Sequence, residues 1–425
     1  KVVFQAANDG MVHTFKADTG AELWAYVPGL LFDSRLTAYP NTSTLANLSF
    51  RSGFTHLYMV DGNPATGDVD FGNTQSASPT TANWRAILVG GLNKGGHGYY
   101  ALDVTVPDKA TTASVTALTE AELKNKVLWE FPNTSTSAAN KSNIGYSYGK
   151  PYITKTKAAG WVALVTSGYN NGTDTGGDGK GHLFVLNAKT GALIKDIPTT
   201  SGTVGTPSGL GQIVGYSDNA YQDNTVKFVY GGDLQGNVWR FDLTGTLTTD
   251  WKVDLLAQLK DASGVVQPIT TTPALAISNS KRMVLVGTGQ YLGDADITTT
   301  QTQSMYGLID EYDSAAPAVS ATIAPLRSNL NQQQIVAGAT ATSARTISLV
   351  SSAANAKGWY VDLNLTSGER VITDPAIAIN TLVFTTNIPS SSDPCKPGGS
   401  SWFYSLDFAT GKQVTDSSGA LASGA

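Results

Sequence analysis

The stretch GHLFVLNAKTG, residues 181–191, repeats the pattern of GMVHTFKADTG, residues 10–20. In both, a glycine precedes a strand-like run rich in apolar or aromatic side chains, a polar residue ends the run, and a Thr-Gly turn follows. Shorter relatives of this pattern begin at Gly98, Gly236, Met305, Gly358 and Ser401. Seven copies of one strand-and-turn pattern predict a sheet that is repeated along the chain, as in propellers and solenoids.

The spacing of the copies predicts a propeller whose blades carry insertions. The copies lie on average about 65 residues apart, whereas a compact four-stranded blade takes roughly 40–50 residues. Apolar strands such as Trp84–Gly91 and Phe228–Gly232 precede several copies, as in the inner hairpin of a blade. We therefore expect an all-β fold, a single seven-bladed β-propeller domain over residues 1–425, closed by pairing of residues 402–407 with residues 2–15.

Three segments depart from the repeated pattern. Residues 62–83 and 313–344 are rich in Ser, Thr, Ala and Asn, and we expect them to be blade insertions or long loops. Only residues 120–126 have a helical pattern, and this stretch is too short to form a domain. The sequence therefore predicts strands and loops almost throughout.

Composition and charge exclude several classes of function. The 425 residues carry 28 Lys and Arg against 33 Asp and Glu, for a net charge of −5. Without a basic excess, the chain lacks the counterion-release free energy that holds nucleic acids, so we expect neither nucleic-acid binding nor attraction to anionic membranes. Cys395 is the only cysteine, so the chain forms no internal disulfide and no multi-cysteine metal site.

The ends and the hydropathy of the chain bear on its location. No run of 18 apolar residues occurs, so we expect no membrane insertion. The chain begins at Lys1 rather than at an initiator Met, which favours an excised part of a longer protein whose export signal lies upstream.

The motifs ANDG, residues 7–10, HLYMVDG, residues 56–62, GYSYGKP, residues 145–151, and YGGDLQGNVWRFD, residues 230–242, follow one another along the chain. In this order they resemble the C-terminal β-propeller domain of the PilC/PilY family, which contains type IV pilus tip-associated biogenesis factors and adhesins. The motif Ala-Asn-Asp-Gly within residues 7–13 also occurs in quinoprotein-like propellers, so the fold implied is a modified, quinoprotein-like propeller. The resemblance spans nearly the whole chain and rests on residues 7–13, 22–28, 56–62, 145–151, 230–242, 287–293, 393–395 and 398–402. Full-length members carry an export signal and a variable N-terminal region, and this chain resembles only their C-terminal part.

The resemblance implies a non-enzymatic, extracytoplasmic protein at the pilus tip, the cell surface or in the periplasm. It implies support of pilus biogenesis and surface adhesion through protein–protein contacts, with minor pilins of the pilus tip and a host or abiotic surface as partners. The inserted loops are the expected contact surfaces.

Two other functions remain open on the sequence: a periplasmic propeller scaffold for envelope protein assembly, and a quinone-dependent dehydrogenase. Many such dehydrogenases place a vicinal cysteine pair over the quinone, which one cysteine cannot supply. The histidines lie in four separate segments without the spacing of a metal site, and we expect surface or strand histidines; they are His13, His56, His97 and His182.

The resemblance also implies an EF-hand-like calcium loop just before the strand at residues 228–230. In the aligned residues 219–227, Lys227 falls where the last carboxylate belongs, and an ammonium there repels the ion. Calcium needs six to eight oxygen ligands, so we expect the inherited site to be lost or displaced. The candidate calcium ligands are Asp218, Asn219, Asp223 and Asn224.

Two further oxygen-rich loops have the composition of a cation site or of an unliganded turn. One is residues 170–179, and the other joins residues 61–63 with Asp68 and Asp70. Neither has EF-hand spacing, and Asn, Asp and Gly are also the residues that long hairpin loops use for local hydrogen bonds. The turn is the expected structure in both.

Overall fold

The structure is a computed structural model that describes residues 1–33, 56–74, 81–107, 109–110, 115–116, 118–313, 322–338, 344–390 and 398–414. The chain forms two compact units. One contains residues 1–211, 215–228 and 242–252, and the other contains residues 212–214, 229–241 and 253–425. Among the described residues, regular structure is mostly β-strand, which confirms the all-β expectation. The single domain over residues 1–425 and the ring closure between its ends stay predictions.

The first unit contains three antiparallel sheets and a two-residue strand pair. Within each sheet the strands follow chain order, and all but one of the neighbouring pairs are consecutive along the chain. The strands are β1 Val2–Ala6, β2 Val12–Lys16, β3 Glu22–Tyr26, β4 Ala65–Asp70, β5 Trp84–Gly91, β6 Tyr99–Asp103, β7 Lys109–Ala110, β8 Val115–Thr116, β9 Val127–Phe131, β10 Tyr152–Thr156, β11 Gly160–Thr166, β12 His182–Asn187 and β13 Leu193–Pro198. The sheets are β1–β2–β3, β4–β5–β6–β9 and β10–β11–β12–β13.

The middle sheet of this unit is covered on both faces. Alternate side chains of a strand point to opposite faces, and in β5 Ile87 packs in a cluster with Trp161 and Phe184 of the third sheet, while Leu88 packs with Trp24 of the first sheet. Burial on two faces explains why β5 is a nearly continuous apolar run rather than an alternating one. This is the stacking of neighbouring sheets that a propeller requires.

Four strands follow in the region where the chain passes between the two units. They are β14 Ile213–Tyr216, β15 Phe228–Gly232, β16 Asn237–Asp242 and β17 Lys252–Gln258. The second unit then contains a six-stranded and a three-stranded sheet. Their strands are β18 Ala274–Ser278, β19 Lys281–Gly287, β20 Ser304–Asp310, β21 Asn331–Val336, β22 Thr346–Ser351, β23 Gly358–Asp362, β24 Ala376–Ala378, β25 Thr381–Pro389 and β26 Gly399–Asp407.

The core of the second unit lies between these two sheets. Leu285 and Trp359 of the larger sheet pack in one cluster with Phe384 and Leu406 of the smaller sheet, and each is at most 3% exposed. Full burial of such side chains stabilises the fold by about 1.5–3 kcal/mol each. Two buried ion pairs, centred on Asp310 and on Glu369, lie in the same unit.

The predicted insertions are partly correct. The described part of residues 313–344 contains β21, which pairs with β22 and runs parallel to β23, so the inserted chain widens one sheet from four strands to six. Residues 62–83 are not only loop, because β4 lies within them and pairs with β5. The sequence did not predict this strand because the residues around β4 are mostly of the types that form turns.

Helical structure is short. The helix expected at residues 120–126 is present as α1, Glu120–Lys124, and begins at Thr119, whose backbone N–H donates to the Glu122 carboxylate at 2.9 Å. A second helix was not expected from the sequence: α2, Ala138–Ser142. Short 3₁₀ turns occur at Gly29–Phe32, Thr248–Asp250, Asp294–Thr298 and Arg327–Asn329. No helix in the described part of the chain is long and apolar enough to cross a membrane.

The Thr-Gly turn of the repeat has one geometry in three copies. Gly20, Gly191 and Gly411 have φ of +70°, +67° and +69°, a backbone conformation that residues other than glycine rarely adopt. The N–H of each donates to the carbonyl four residues earlier at 2.8–2.9 Å. The repeat read from the sequence is therefore a repeat of backbone structure.

The seven copies do not lie in seven separate sheets. All seven copies contain strands, but β20 and β23 are neighbours in one sheet, so two copies share it. The seven-blade count consequently stays a prediction.

Candidate functional site

The loop that carries the candidate ligands, residues 217–227, is anchored to strand β10. The backbone N–H of Lys155 donates to the Asn224 carbonyl at 3.1 Å, and the Val226 N–H donates to the Lys155 carbonyl at 2.8 Å. The Thr154 hydroxyl also donates to the Asn224 carbonyl, at 2.8 Å. These bonds fix the loop against a strand about 70 residues earlier in the chain. The candidate ligand Asn224 thus contributes its backbone carbonyl to this anchor.

Asp223 is held in place by a lysine and a threonine. Its Oδ1 lies 3.0 Å from the Lys155 Nζ and accepts a hydrogen bond of 2.6 Å from the Thr225 hydroxyl. The Thr225 hydrogen bond and the Lys155 ammonium lower the pKa of Asp223, so its carboxylate stays ionised over a wide pH range. The backbone N–H of Asp223 donates to the Asn219 carbonyl at 2.8 Å and closes the loop.

Asp218 at the start of the loop pairs with Lys227 at its end. Side chains from the loop and from the β10–β11 hairpin together line a cleft of about 620 Å³. The cleft is lined by Asn73, Lys155, Thr156, Lys157, Gly160, Asp218, Asn219, Asp223, Thr225 and Lys227. Three of the four candidate ligands therefore share this cleft.

The donor set of the loop does not fit a calcium ion. Each of the two carboxylates, Asp218 and Asp223, is engaged with a different ammonium group, so no shared centre is left for them. In the described part of the chain, no group of three or more His, Cys, Asp or Glu side chains is placed to hold a metal ion. Calcium binding at this loop stays a prediction. Besides Lys227, Lys155 is a second positive charge beside the candidate ligands, and the spacing of residues along the loop could not predict it.

Replacing Lys227 by Asp is expected to tighten calcium binding by roughly tenfold or more, because the number of charged ligands sets the affinity of such loops. The wild-type chain should bind weakly or not at all. Titration calorimetry with Ca²⁺ on both chains measures the difference. Lys124→Asp on α1 is the matched control, since it makes the same charge change away from the loop. Submicromolar binding by the wild type at this loop, or equal binding by Lys227→Asp, would contradict the alignment.

The other two oxygen-rich loops are held by local hydrogen bonds. In residues 170–179, Asn171 is fully buried, and its amide donates to the carbonyls of Asn143 at 3.2 Å and Lys180 at 2.6 Å. In the other loop, Asp70 Oδ1 accepts the backbone N–H groups of Gly72 and Asn83 at 2.9 and 2.7 Å. Both arrangements are those of hydrogen-bonded turns. Cation binding at these loops is untested.

Two histidines lie between pairs of carboxylates. His182 begins β12, and its ring nitrogens lie 2.8 Å from Asp196 and 3.0 Å from Asp178. His13 on β2 lies 2.6 Å from Glu22 and 2.8 Å from Asp9. Burial lowers the pKa of His182, but hydrogen bonds and charges of the two carboxylates outweigh it and raise that pKa above its ordinary value. The imidazolium form is therefore favoured in the folded chain.

The first unit should lose stability as the pH rises above neutrality. A histidine whose pKa is raised by folding contributes stability that is complete below its unfolded pKa of about 6.5 and is lost as the pH passes the higher folded value. We expect the melting temperature to be a few degrees higher at pH 6 than at pH 9, and His182→Gln to reduce this difference. Thermal unfolding at the two pH values tests the prediction, and an unchanged pH dependence in His182→Gln would contradict it.

The residues that sequence analysis missed come from other strands. Lys155 and Lys157 reach the cleft because β10 and the loop lie side by side, with a parallel bridge between Lys155 and Thr225. Neither lysine belongs to a recognisable motif. Only knowledge of the strand order, which places β10 beside this loop, would have identified them.

Comparison with known proteins identifies the family. The model of the PilY1 β-propeller domain matches residues 1–255 and 252–347. The type IV pilus biogenesis factor PilY1 of Pseudomonas aeruginosa PAO1 is 30% identical over 97% of this chain, and a PilY1 homolog of Xylella fastidiosa Temecula1 is 31% identical over 96% of it. The chain spans 35% and 26% of these two relatives.

A solved structure agrees with this relationship. The crystal structure of the P. aeruginosa PilY1 C-terminal domain has a TM-score of 0.71 and 27% identity to this chain, over 97% of this chain and 80% of that one. The expected β-propeller fold and the resemblance to the PilC/PilY family are confirmed. The chain belongs to the PilY1 β-propeller family of type IV pilus biogenesis factors.

Proposed function

We propose that this chain acts in type IV pilus biogenesis, as a non-catalytic β-propeller that contacts pilus components outside the cytoplasm. The observation that carries the proposal is the relationship to PilY1 factors along 97% of the chain. The chain spans about a third of the length of PilY1 of P. aeruginosa PAO1, so the activity of that whole protein is a proposal for this chain. Minor pilins at the pilus tip are the proposed partners, and attachment to a host or abiotic surface is the proposed second role.

The inserted hairpin β21–β22 is the proposed contact surface for pilus components in the second unit. It departs from the four-stranded plan, and it exposes apolar side chains: Val336 is 42% exposed, Leu349 45% and Val350 52%. Single exposed apolar residues are ordinary, but Leu349 and Val350 are consecutive, and two exposed apolar side chains side by side on an inserted hairpin favour contact with a protein partner.

Pilus assembly and co-purification test the proposal in the full-length protein that carries this chain. Removal of residues 1–425 should abolish or strongly reduce surface pili, measured by shearing and quantification of the major pilin. Leu349→Ser with Val350→Ser should reduce recovery of minor pilins with the protein. Ile277→Ser is the matched control, because Ile277 is 47% exposed on β18 of the same unit.

Normal pilus numbers without residues 1–425 would overturn the biogenesis role. Equal recovery of minor pilins with the Leu349→Ser/Val350→Ser variant and with the control would overturn the contact surface alone.

A further inference from the structure

We propose that the cleft between the β10–β11 hairpin and the loop of residues 217–227 binds an anionic saccharide. The proposal deepens the adhesive half of the proposed function and rests on it for its biological meaning. The binding itself is a property of the first unit and is measurable on the isolated chain. The ligand class follows from the charge, the aromatic side chains and the size of the cleft.

The charge of the cleft is opposite to that of the chain. The lining contains three lysines and two aspartates, whereas the whole chain carries a net charge of −5. Lys155 pairs with Asp223 and Lys227 with Asp218, so the charges of these two pairs cancel. Lys157 is exposed at the turn between β10 and β11, and the described residues place no carboxylate within ion-pair distance of it. The cleft therefore offers one ammonium to an incoming anion.

Two exposed aromatic side chains belong to segments next to the same cleft. Tyr221 is fully exposed at the tip of the loop, between the lining residues Asn219 and Asp223. Trp84 is 57% exposed and lies edge-on to Trp161, with ring centroids 5.7 Å apart. Trp161 is in turn the cross-strand partner of Lys155, which lines the cleft. An aromatic ring left in water costs free energy, so the exposed Tyr221 in the loop that lines the cleft, with Trp84 nearby, favours a ligand that covers such a ring.

A saccharide with a carboxylate or sulfate matches these groups. The C–H face of a pyranose is apolar and stacks on an aromatic ring, while its hydroxyls exchange hydrogen bonds with Asp, Asn and Thr side chains. The anionic group pairs with Lys157 through a charge-assisted hydrogen bond. A volume of about 620 Å³ lies within the range of roughly 300–1,000 Å³ of ligand pockets, which suits an oligosaccharide.

Titration calorimetry on the purified chain tests the proposal with three tetrasaccharides: tetragalacturonate for the carboxylate, a heparin-derived tetrasaccharide for the sulfate, and neutral maltotetraose. At least one anionic tetrasaccharide should bind tenfold or more tightly than maltotetraose, and binding should weaken in high salt. Whichever anion binds more tightly identifies the source of the negative charge. Equal affinity for the neutral and anionic saccharides, or no binding of any at millimolar concentration, overturns the proposal.

Variants separate recognition from general charge attraction. Tyr221→Ala and Lys157→Ala should each weaken binding of the preferred saccharide by fivefold or more, and both positions are exposed, so the fold should persist. Lys124→Ala removes an exposed lysine from α1 and should leave the affinity unchanged. A loss with Lys124→Ala equal to that with Lys157→Ala, or no loss with Tyr221→Ala, overturns the saccharide site in favour of nonspecific ion binding.

The two proposals fail in distinguishable ways. If the full-length protein with Tyr221→Ala assembles normal pili but loses saccharide binding, the cleft serves attachment and not assembly. If residues 1–425 prove dispensable for pili while the isolated chain still binds the anionic tetrasaccharide, the saccharide site stands and the role in pilus biogenesis falls.

Discussion

Replacing Asp310 by asparagine is expected to lower the free energy of unfolding by about 3–5 kcal/mol, because it removes the buried carboxylate that Arg240 and Arg282 share. Asp310 is 1% exposed at the end of β20, and its Oδ1 accepts a 2.8 Å hydrogen bond from Arg240, which is 2% exposed. Its Oδ2 accepts the Tyr230 hydroxyl at 2.6 Å and lies 3.4 Å from Arg282. The Arg240 guanidinium also stacks 3.9 Å from the Tyr312 ring, and after the substitution its remaining carboxylate partner is Asp254, which lies 3.1 Å away and is 37% exposed.

The adjacent residue supplies a matched control for Asp310→Asn. Glu311 pairs with Lys281 and Lys357, but both lysine side chains are more than a third exposed. Such pairs contribute about 1 kcal/mol or less, so Glu311→Gln should have a small effect. Urea unfolding followed by tryptophan fluorescence gives both values. Similar losses for the two neighbours would show that burial of the Asp310 pair does not decide its contribution.

Glu369→Gln is the second substitution with a large expected cost, also about 3–5 kcal/mol. Glu369 is fully buried, and both of its carboxylate oxygens bind the Arg345 guanidinium, at 2.9 and 2.7 Å. The hydroxyls of Thr386 and Tyr404 donate to the same carboxylate at 2.8 and 2.9 Å. Arg345 lies 3.9 Å from the centre of the Trp402 ring, so the substitution leaves a stacked and buried cation without its carboxylate partner.

Thr386→Val calibrates this second prediction. It keeps the shape of the side chain and removes one of the hydrogen bonds to Glu369, which should cost about 1 kcal/mol. Guanidinium unfolding of the two variants should therefore give losses that differ severalfold. A Glu369→Gln loss no larger than that of Thr386→Val would mean that the ion pair adds nothing beyond a neutral hydrogen bond.

The strands could be predicted from the sequence to the extent that they are local. Residues 10–20 and 181–191 contain β2 and β12 where the pattern places them, because alternation and turn residues act within one hairpin. The pairing of β20 with β23 could not be predicted, since the copies at Met305 and Gly358 look like two separate blades. The sheet to which a strand belongs depends on packing between distant segments, and the sequence of the strand itself does not indicate those contacts.

The candidate site shows the same limit. Asp218, Asn219 and Asp223 are close in sequence, and the structure brings them to one cleft. The partner that determines the state of Asp223, Lys155, comes from a strand outside the loop. Spacing along the loop predicts that Lys227 opposes a cation, but it contains no information about the second lysine. Residue types along the loop can be read from the sequence, but the alignment of the loop with the distant strand β10 cannot.

The insertion between β20 and β23 has a consequence for the order of folding. These neighbouring strands are separated by residues 311–357, whereas β25 and β26 are joined by a far shorter connection. Each doubling of a connection adds about 0.6 kcal/mol of loop-closure entropy to the cost of pairing its ends, and such distant pairings slow folding. The β21–β22 hairpin shortens the effective connection once it forms. We therefore expect β23 to dock late, after the short hairpins on either side of it are in place.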